Sequence, residues 1–203
     1  MTITLHEGDL PEGLDLGGVV AIDSETMGLR PERDRLCLVQ LSAGDGDAHL
    51  VRFAKGQYDA PRLKALLTDP KRLKLFHYAR FDIAVMKAYL GVDTASIYCT
   101  KIASKLVRTY TDRHGLKDLC RELLSVEISK QQQSSDWGAA TLSAEQLAYA
   151  ASDVLYLHQL REHLNDMLKR ENRMDIATAC FQFLPTRADL DLIGYGDSDI
   201  FSH

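Results

Sequence analysis

Two acids spaced two apart in Asp23-Ser24-Glu25, and a tyrosine four residues ahead of an aspartate, Tyr149 and Asp153, are the side chains whose types and spacing could do chemistry; between them lies Asp82, in His77-Tyr78-Ala79-Arg80-Phe81-Asp82. Carboxylates held close together repel unless a cation or a proton separates them, and hard divalent ions take oxygen ligands of this kind. Neither spacing decides anything alone. With 29 acids in 203 residues, about one Asp-x-Glu is expected by chance, and Tyr-x3-Asp recurs at Tyr78/Asp82, Tyr89/Asp93 and Tyr195/Asp199. The elements that carry the residues have to decide.

Val19-Val20-Ala21-Ile22 follows Gly17-Gly18 and reads as a buried strand over 18–24, with the acid pair at its C-terminal end. Residues two apart on a strand share a face, so both carboxylates project together; the plainer alternative is a polar strand end capping the next turn. Ser143 and Gln146 form a capping box that opens a helix over 143–171, with an apolar stripe of Leu147, Ala150, Ala151, Val154, Leu157 and Leu160. Four residues make one turn, which puts the Tyr149 phenol beside the Asp153 carboxylate. The alternative, a core tyrosine and a solvated aspartate, sits poorly with Asp153 being the one formal charge between Glu145 and Arg161, since a buried acid needs a partner. Asp82 follows a strand over 72–77 and opens a helix over 82–90, either as a partner for the helix dipole or at the sheet edge where open α/β folds place their ligands.

Further strands are expected at 36–42 and 47–53, with an edge strand at Ile97-Tyr98, and further helices at 61–68, 100–109, 115–124 and 173–182. Ser125 to Thr141 reads as one long loop, a length that tends to be functional inside a compact domain. No Gly-x-Gly-x-x-Gly follows a strand, which argues against a dinucleotide-binding fold. At 45% hydrophobic the chain can bury its own core as a single domain over 1–203. Cys37, Cys99, Cys120 and Cys180 lack metal-ligand spacing and read as reduced cysteines. No signal peptide and no run long enough to span a bilayer is evident, so a soluble, cytoplasmic protein with no membrane partner is expected.

Asp23/Glu25, Asp82 and Tyr149/Asp153 together resemble the three motifs of the DEDDy branch of 3′-5′ exonucleases, the group that contains ribonuclease D and proofreading domains. Thr26-Met27-Gly28-Leu29, Leu38-Val39-Gln40-Leu41, Cys99-Thr100-Lys101, Gly115-Leu116-Lys117 and Lys130 to Trp137 extend the likeness along the chain. Gly138-Ala139-Ala140 stands where ribonuclease D usually has Arg-Pro, and the chain leaves no room for that enzyme's additional helical domains. Phe183-Leu184-Pro185-Thr186-Arg187 and Asp199-Ile200-Phe201 resemble the ending of the short alphaproteobacterial nanoRNase C group, which the chain matches from Met1 to His203.

The resemblance implies a ribonuclease-H-like α/β fold, a mixed sheet flanked by helices, and a site for two divalent cations, Mg²⁺ or Mn²⁺. It implies that Asp23 bridges both ions, that Glu25 and Asp153 hold the ion that activates water, that Asp82 supports the second, and that Tyr149 contacts the water. A phenol titrating near pH ~10 suits orienting that water better than deprotonating it. Thr26, Met27, Gly28 and Leu29 would adjoin the 3′-terminal nucleotide, with His77 and Arg80 as further substrate contacts, although His77 also reads as a satisfied strand-end histidine. Lys130, Gln133 and Trp137 would hold phosphate or stack on a base, although Trp137, the only tryptophan, also reads as core.

Residues 99–130 hold seven bases (Lys101, Lys105, Arg108, Arg113, Lys117, Arg121, Lys130) against four acids, in a chain whose formal net charge is −5. One local basic patch on an acidic protein fits a small anionic substrate better than a long duplex. The leading expectation is an exoribonuclease acting on very short RNA oligonucleotides, dinucleotides included; a broader nuclease on longer RNA or DNA, or a catalytically silent nucleic-acid-binding module, are the alternatives. The apolar tail over 183–203 is expected to serve in self-association, and the nanoRNase C likeness implies a closed homo-oligomer, an octamer.

Overall fold

Leucine-rich and β-branched runs supply the strands of the computed structural model, which describes residues 1–129 and 131–203. The elements run β1 (Ile3–Glu7), β2 (Val19–Thr26), β3 (Leu36–Ser42), β4 (Ala48–Arg52), α1 (Pro61–Thr68), β5 (Leu73–Phe76), α2 (Ala79–Leu90), β6 (Ile97–Cys99), α3 (Thr100–Val107), α4 (Leu116–Leu124), α5 (Ala144–Leu155), α6 (Leu157–Arg170) and α7 (Met174–Leu190), closing on a π-helical turn at Asp191–Tyr195. Among the described residues six strands form one sheet in the order β1-β4-β3-β2-β5-β6. β2 and β4 run antiparallel to β3, while β1 with β4, β2 with β5 and β5 with β6 are parallel pairs. Helices pack on this mixed sheet, giving the expected ribonuclease-H-like α/β architecture. Every residue of β3 is buried, as its near-continuous apolar run requires of a strand covered on both faces.

The structure departs from the sequence reading in four places. The helix expected over 82–90 begins earlier, at Ala79, so Asp82 lies within its first turn instead of opening it. Ile3–Glu7, not foreseen as a strand, forms β1 at the sheet edge; four of its five residues are only half-buried, so the period-two signal is weak. The helix expected over 143–171 breaks at Tyr156 (φ −104°, ψ −4°), where neither glycine nor proline marks a stop. The break has a tertiary cause: α5 lies on β1 through β4, whereas α6 packs against α3, α4 and β5, and one straight axis cannot serve both. The last helix runs through Pro185 to Leu190 instead of stopping at 182, because Phe181, Leu184 and Ala188 carry its buried face onward against α2, α3 and β6. The segment 125–141 holds no helix or strand among its described residues, as expected of a loop.

Candidate active site

Alternation along β2 builds the site. Asp23 and Glu25 leave one face of the strand, while Ser24 between them leaves the other and donates its hydroxyl to Asp82 Oδ1 at 2.6 Å. α2 delivers Asp82 from its first turn, entered through Tyr78 in the left-handed region (φ 75°). α5 starts at the capping box of Ser143 and Gln146, both hydrogen bonds of which form, and carries Tyr149 and Asp153 onto the sheet. Ligand atoms of Asp23, Glu25 and Asp153 all lie within 4.8 Å of one another. Asp82 stands behind them through Ser24, near enough for its charge to act on both Asp23 and Glu25.

Burial is the first cause of unusual acidity here, and mutual repulsion the second. Asp23 is pushed well above the usual carboxylate range by desolvation, then by Asp82, Asp153 and Glu25. Glu25 rises to about 9 through desolvation and the charges of Asp153 and Asp82. Asp82 rises to about 7 through desolvation, with the Ser24 hydrogen bond opposing the shift. Without a cation the charged forms of these acids repel one another, and a bound cation would offset that repulsion. An all-oxygen donor set fits a hard divalent ion such as Mg²⁺. Tyr149 titrates well above an ordinary phenol, from burial first and then the Asp153 charge, so it remains a proton donor. Its ring packs 6.0 Å from that of Trp137.

The sequence-predicted substrate contacts fall unevenly. Thr26 ends β2 and donates to Gly28 O; Met27 and Leu29 are exposed beside the site. Gly28 lacks a side chain where a Cβ would strike the Asp34 carboxylate, which accepts from Arg30 N at 3.0 Å. His77 sits at a strand end with Nδ1 2.9 Å from the Thr100 hydroxyl. Arg80 turns to the C-terminal segment, giving Nε to Asp191 Oδ2 at 2.6 Å and Nη2 to Asp191 Oδ1 at 2.7 Å. Trp137 is buried with the core and presents no open stacking face. Gln133 is exposed, and Lys130 lies outside the described residues. The basic segment is weaker than its composition suggests, since Arg108 is wholly buried against Glu122 and Arg121 is paired with Asp118.

Four side chains have no role assigned from the sequence. Gln40 donates Nε2–H to Asp23 Oδ2 at 3.1 Å, and Ser24 braces Asp82. Arg35 and Arg52 reach the backbone of Gly138, Ala139 and Ala140, tying the long loop to β3 and β4. Strand alternation was enough to aim Ser24 away from its neighbours, and Gln40 stands out as the one long polar side chain in a buried apolar run; the two arginines left no such mark.

A family model described as 3'-5' exonuclease matches residues 9–169. The chain belongs to that exonuclease family. Among solved structures, Brucella melitensis NrnC with bound Mg²⁺ is 55% identical with a TM-score of 0.96, covering 100% of both chains. The same protein bound to pGG is 56% identical with a TM-score of 0.97, covering 100% of this chain and 99% of that one. Ribonuclease D of Gluconacetobacter diazotrophicus is 37% identical over 156 residues, which is 77% of this chain and 39% of the relative. The chain thus spans well under half the length of the curated ribonucleases D it matches, while the expected likeness to both ribonuclease D and the nanoRNase C group holds. No helix among the described residues of this exonuclease-family chain is long and apolar enough to cross a membrane.

Proposed function

We propose that the chain is a cytoplasmic, metal-dependent 3′-5′ exoribonuclease that hydrolyses very short RNA, dinucleotides included, to nucleoside monophosphates. The convergence of Asp23, Glu25 and Asp153 on one point, backed by Asp82, carries this reading. Asp23, Glu25, Asp82 and Asp153 would hold two divalent cations, Mg²⁺ or Mn²⁺. Bound there, such ions acidify a water and offset the charge that develops on the phosphate and on the departing 3′ oxygen. Tyr149, kept protonated, donates a hydrogen bond that orients the attacking water. Thr26 to Leu29 form the wall for the 3′-terminal nucleotide, next to the acids by chain connection alone. The Arg80 guanidinium is engaged by Asp191, so its part is to brace α2 more than to bind phosphate.

Short RNA is favoured by the likeness to a protein bound to pGG and by the net charge of −5, with Arg108 and Arg121 of the basic segment spent in internal ion pairs. The tail supports self-association into a closed homo-oligomer, which we take to be an octamer. Hydrolysis rates measured with RNAs from two to twenty nucleotides should fall steeply with length. Excess chelator should abolish turnover and Mg²⁺ or Mn²⁺ restore it, and Asp23→Asn should be folded but inactive. Rates that hold or rise with length would move the substrate to longer RNA, and full activity in chelator would remove the mechanism.

A further inference from the structure

β3 contains one residue that its surroundings do not explain. From Leu36 to Leu41 the strand reads Leu-Cys-Leu-Val-Gln-Leu, every member is buried, and Gln40 is 0% exposed. Register places Gln40 directly opposite Asp23 on β2, where its Nε2–H donates to Asp23 Oδ2 at 3.1 Å. Its other polar atom, Oε1, is fully enclosed and has no hydrogen-bond partner. A primary amide can accept as well as donate, and an enclosed acceptor left unmade destabilises the fold. Leucine or methionine would fill the same space without the orphaned Oε1, although either would also remove the donor to Asp23. Against an ionised, cation-binding Asp23 the reverse amide orientation would set two acceptors against each other, which favours Nε2 facing the carboxylate.

We infer that Gln40 is a positioning residue of the metal site: its amide N–H pins one oxygen of Asp23 and leaves the other to face a cation, while Oε1 waits for a proton donor that enters with the ion, a water. Stability is given up in the empty site in return for a fixed ligand in the loaded one. This rests on the metal-site reading above. Outer partners of this kind typically govern metal affinity by about 10–100-fold.

The test uses full-length protein carrying Gln40→Met and Gln40→Leu, with Mg²⁺ binding followed by calorimetry in the absence of RNA and melting temperature read in chelator and in saturating Mg²⁺. Both variants should bind Mg²⁺ about 10-fold more weakly or worse, and gain less from it on melting. Turnover should recover at high Mg²⁺, with KM for RNA little changed. Wild-type Mg²⁺ affinity in both variants would overturn the inference, and a lower melting temperature in chelator with affinity intact would make Gln40 a packing residue. Absence of Mg²⁺ binding by the wild-type chain itself would instead sink the metal-site reading.

Discussion

Tyr149 keeps its proton because burial and three neighbouring carboxylates all oppose a phenolate, and the hydroxyl is therefore a donor throughout the working pH range. Replacing it with phenylalanine keeps the ring against Trp137 and removes only the donor. Steady-state kinetics of Tyr149→Phe should show kcat reduced about 10²-fold with KM nearly unchanged; wild-type turnover would leave Tyr149 a packing residue. The acids predict a second measurement. In the cation-free protein the folded state holds protons at Asp82 up to about pH 7 and at Glu25 up to about 9, whereas unfolded chains release them near 3.8 and 4.5. Where the folded state binds more protons, raising pH lowers stability. Melting temperature in chelator should therefore fall as pH rises from 5 to 9, and saturating Mg²⁺ should flatten the slope; a slope of the opposite sign in chelator would contradict the clustering of the acids. The closeness of Asp23, Glu25 and Asp153 was legible because Asp23/Glu25 and Tyr149/Asp153 are pairs set by local periodicity, whereas Asp82 stood alone at the start of a helix and was singled out by the family resemblance. Ser24 and Gln40 were not given roles, since the partner of Ser24 lies 58 residues away and that of Gln40 on a neighbouring strand.

For α5 and α7 the start was easier to read than the stop. The capping box fixes where α5 begins, but nothing local to Tyr156 ends it; the end follows from two different packing surfaces, which only the assembled sheet defines. Much the same holds for α7, whose buried stripe overrides Pro185. The link between elements that most changes the reading is Arg80 with Asp191, a two-pronged ion pair joining the first turn of α2 to the turn after α7, with Arg187 adding a third bond at 2.8 Å. Asp191→Ala should cost about 1–3 kcal/mol in denaturant unfolding, the scale for hydrogen bonds to charged groups that are partly shielded. An unchanged midpoint would show that the tail contributes nothing to holding α2.

For the molecule as a whole, the tail is half core and half surface. Phe181, Leu184 and Ala188 belong to the interior, while Ile193, Ile200 and Phe201 face outward, and Phe201 rests 5.9 Å from the partly exposed Phe183. Outward apolar groups this close together favour contact with another surface. Removing everything after Arg173 would strip α7 from the core, so surface changes make the cleaner probe. Light scattering should find the intact chain oligomeric and an Ile193→Asp, Phe201→Asp variant smaller but folded; a monomeric intact chain would end the assembly proposal. The apolar character of the tail was plain in the sequence, but which residues turn inward depended on α7 extending past its expected stop.

The acids of the site enter the chain in the order 23, 25, 82 and 153, and the last arrives on α5, well past the middle of the molecule. During synthesis the emerging chain therefore presents an incomplete ligand set until α5 has left the ribosome and settled on the sheet. On the metal-site proposal, a growing copy therefore cannot hold its cations until α5 is in place.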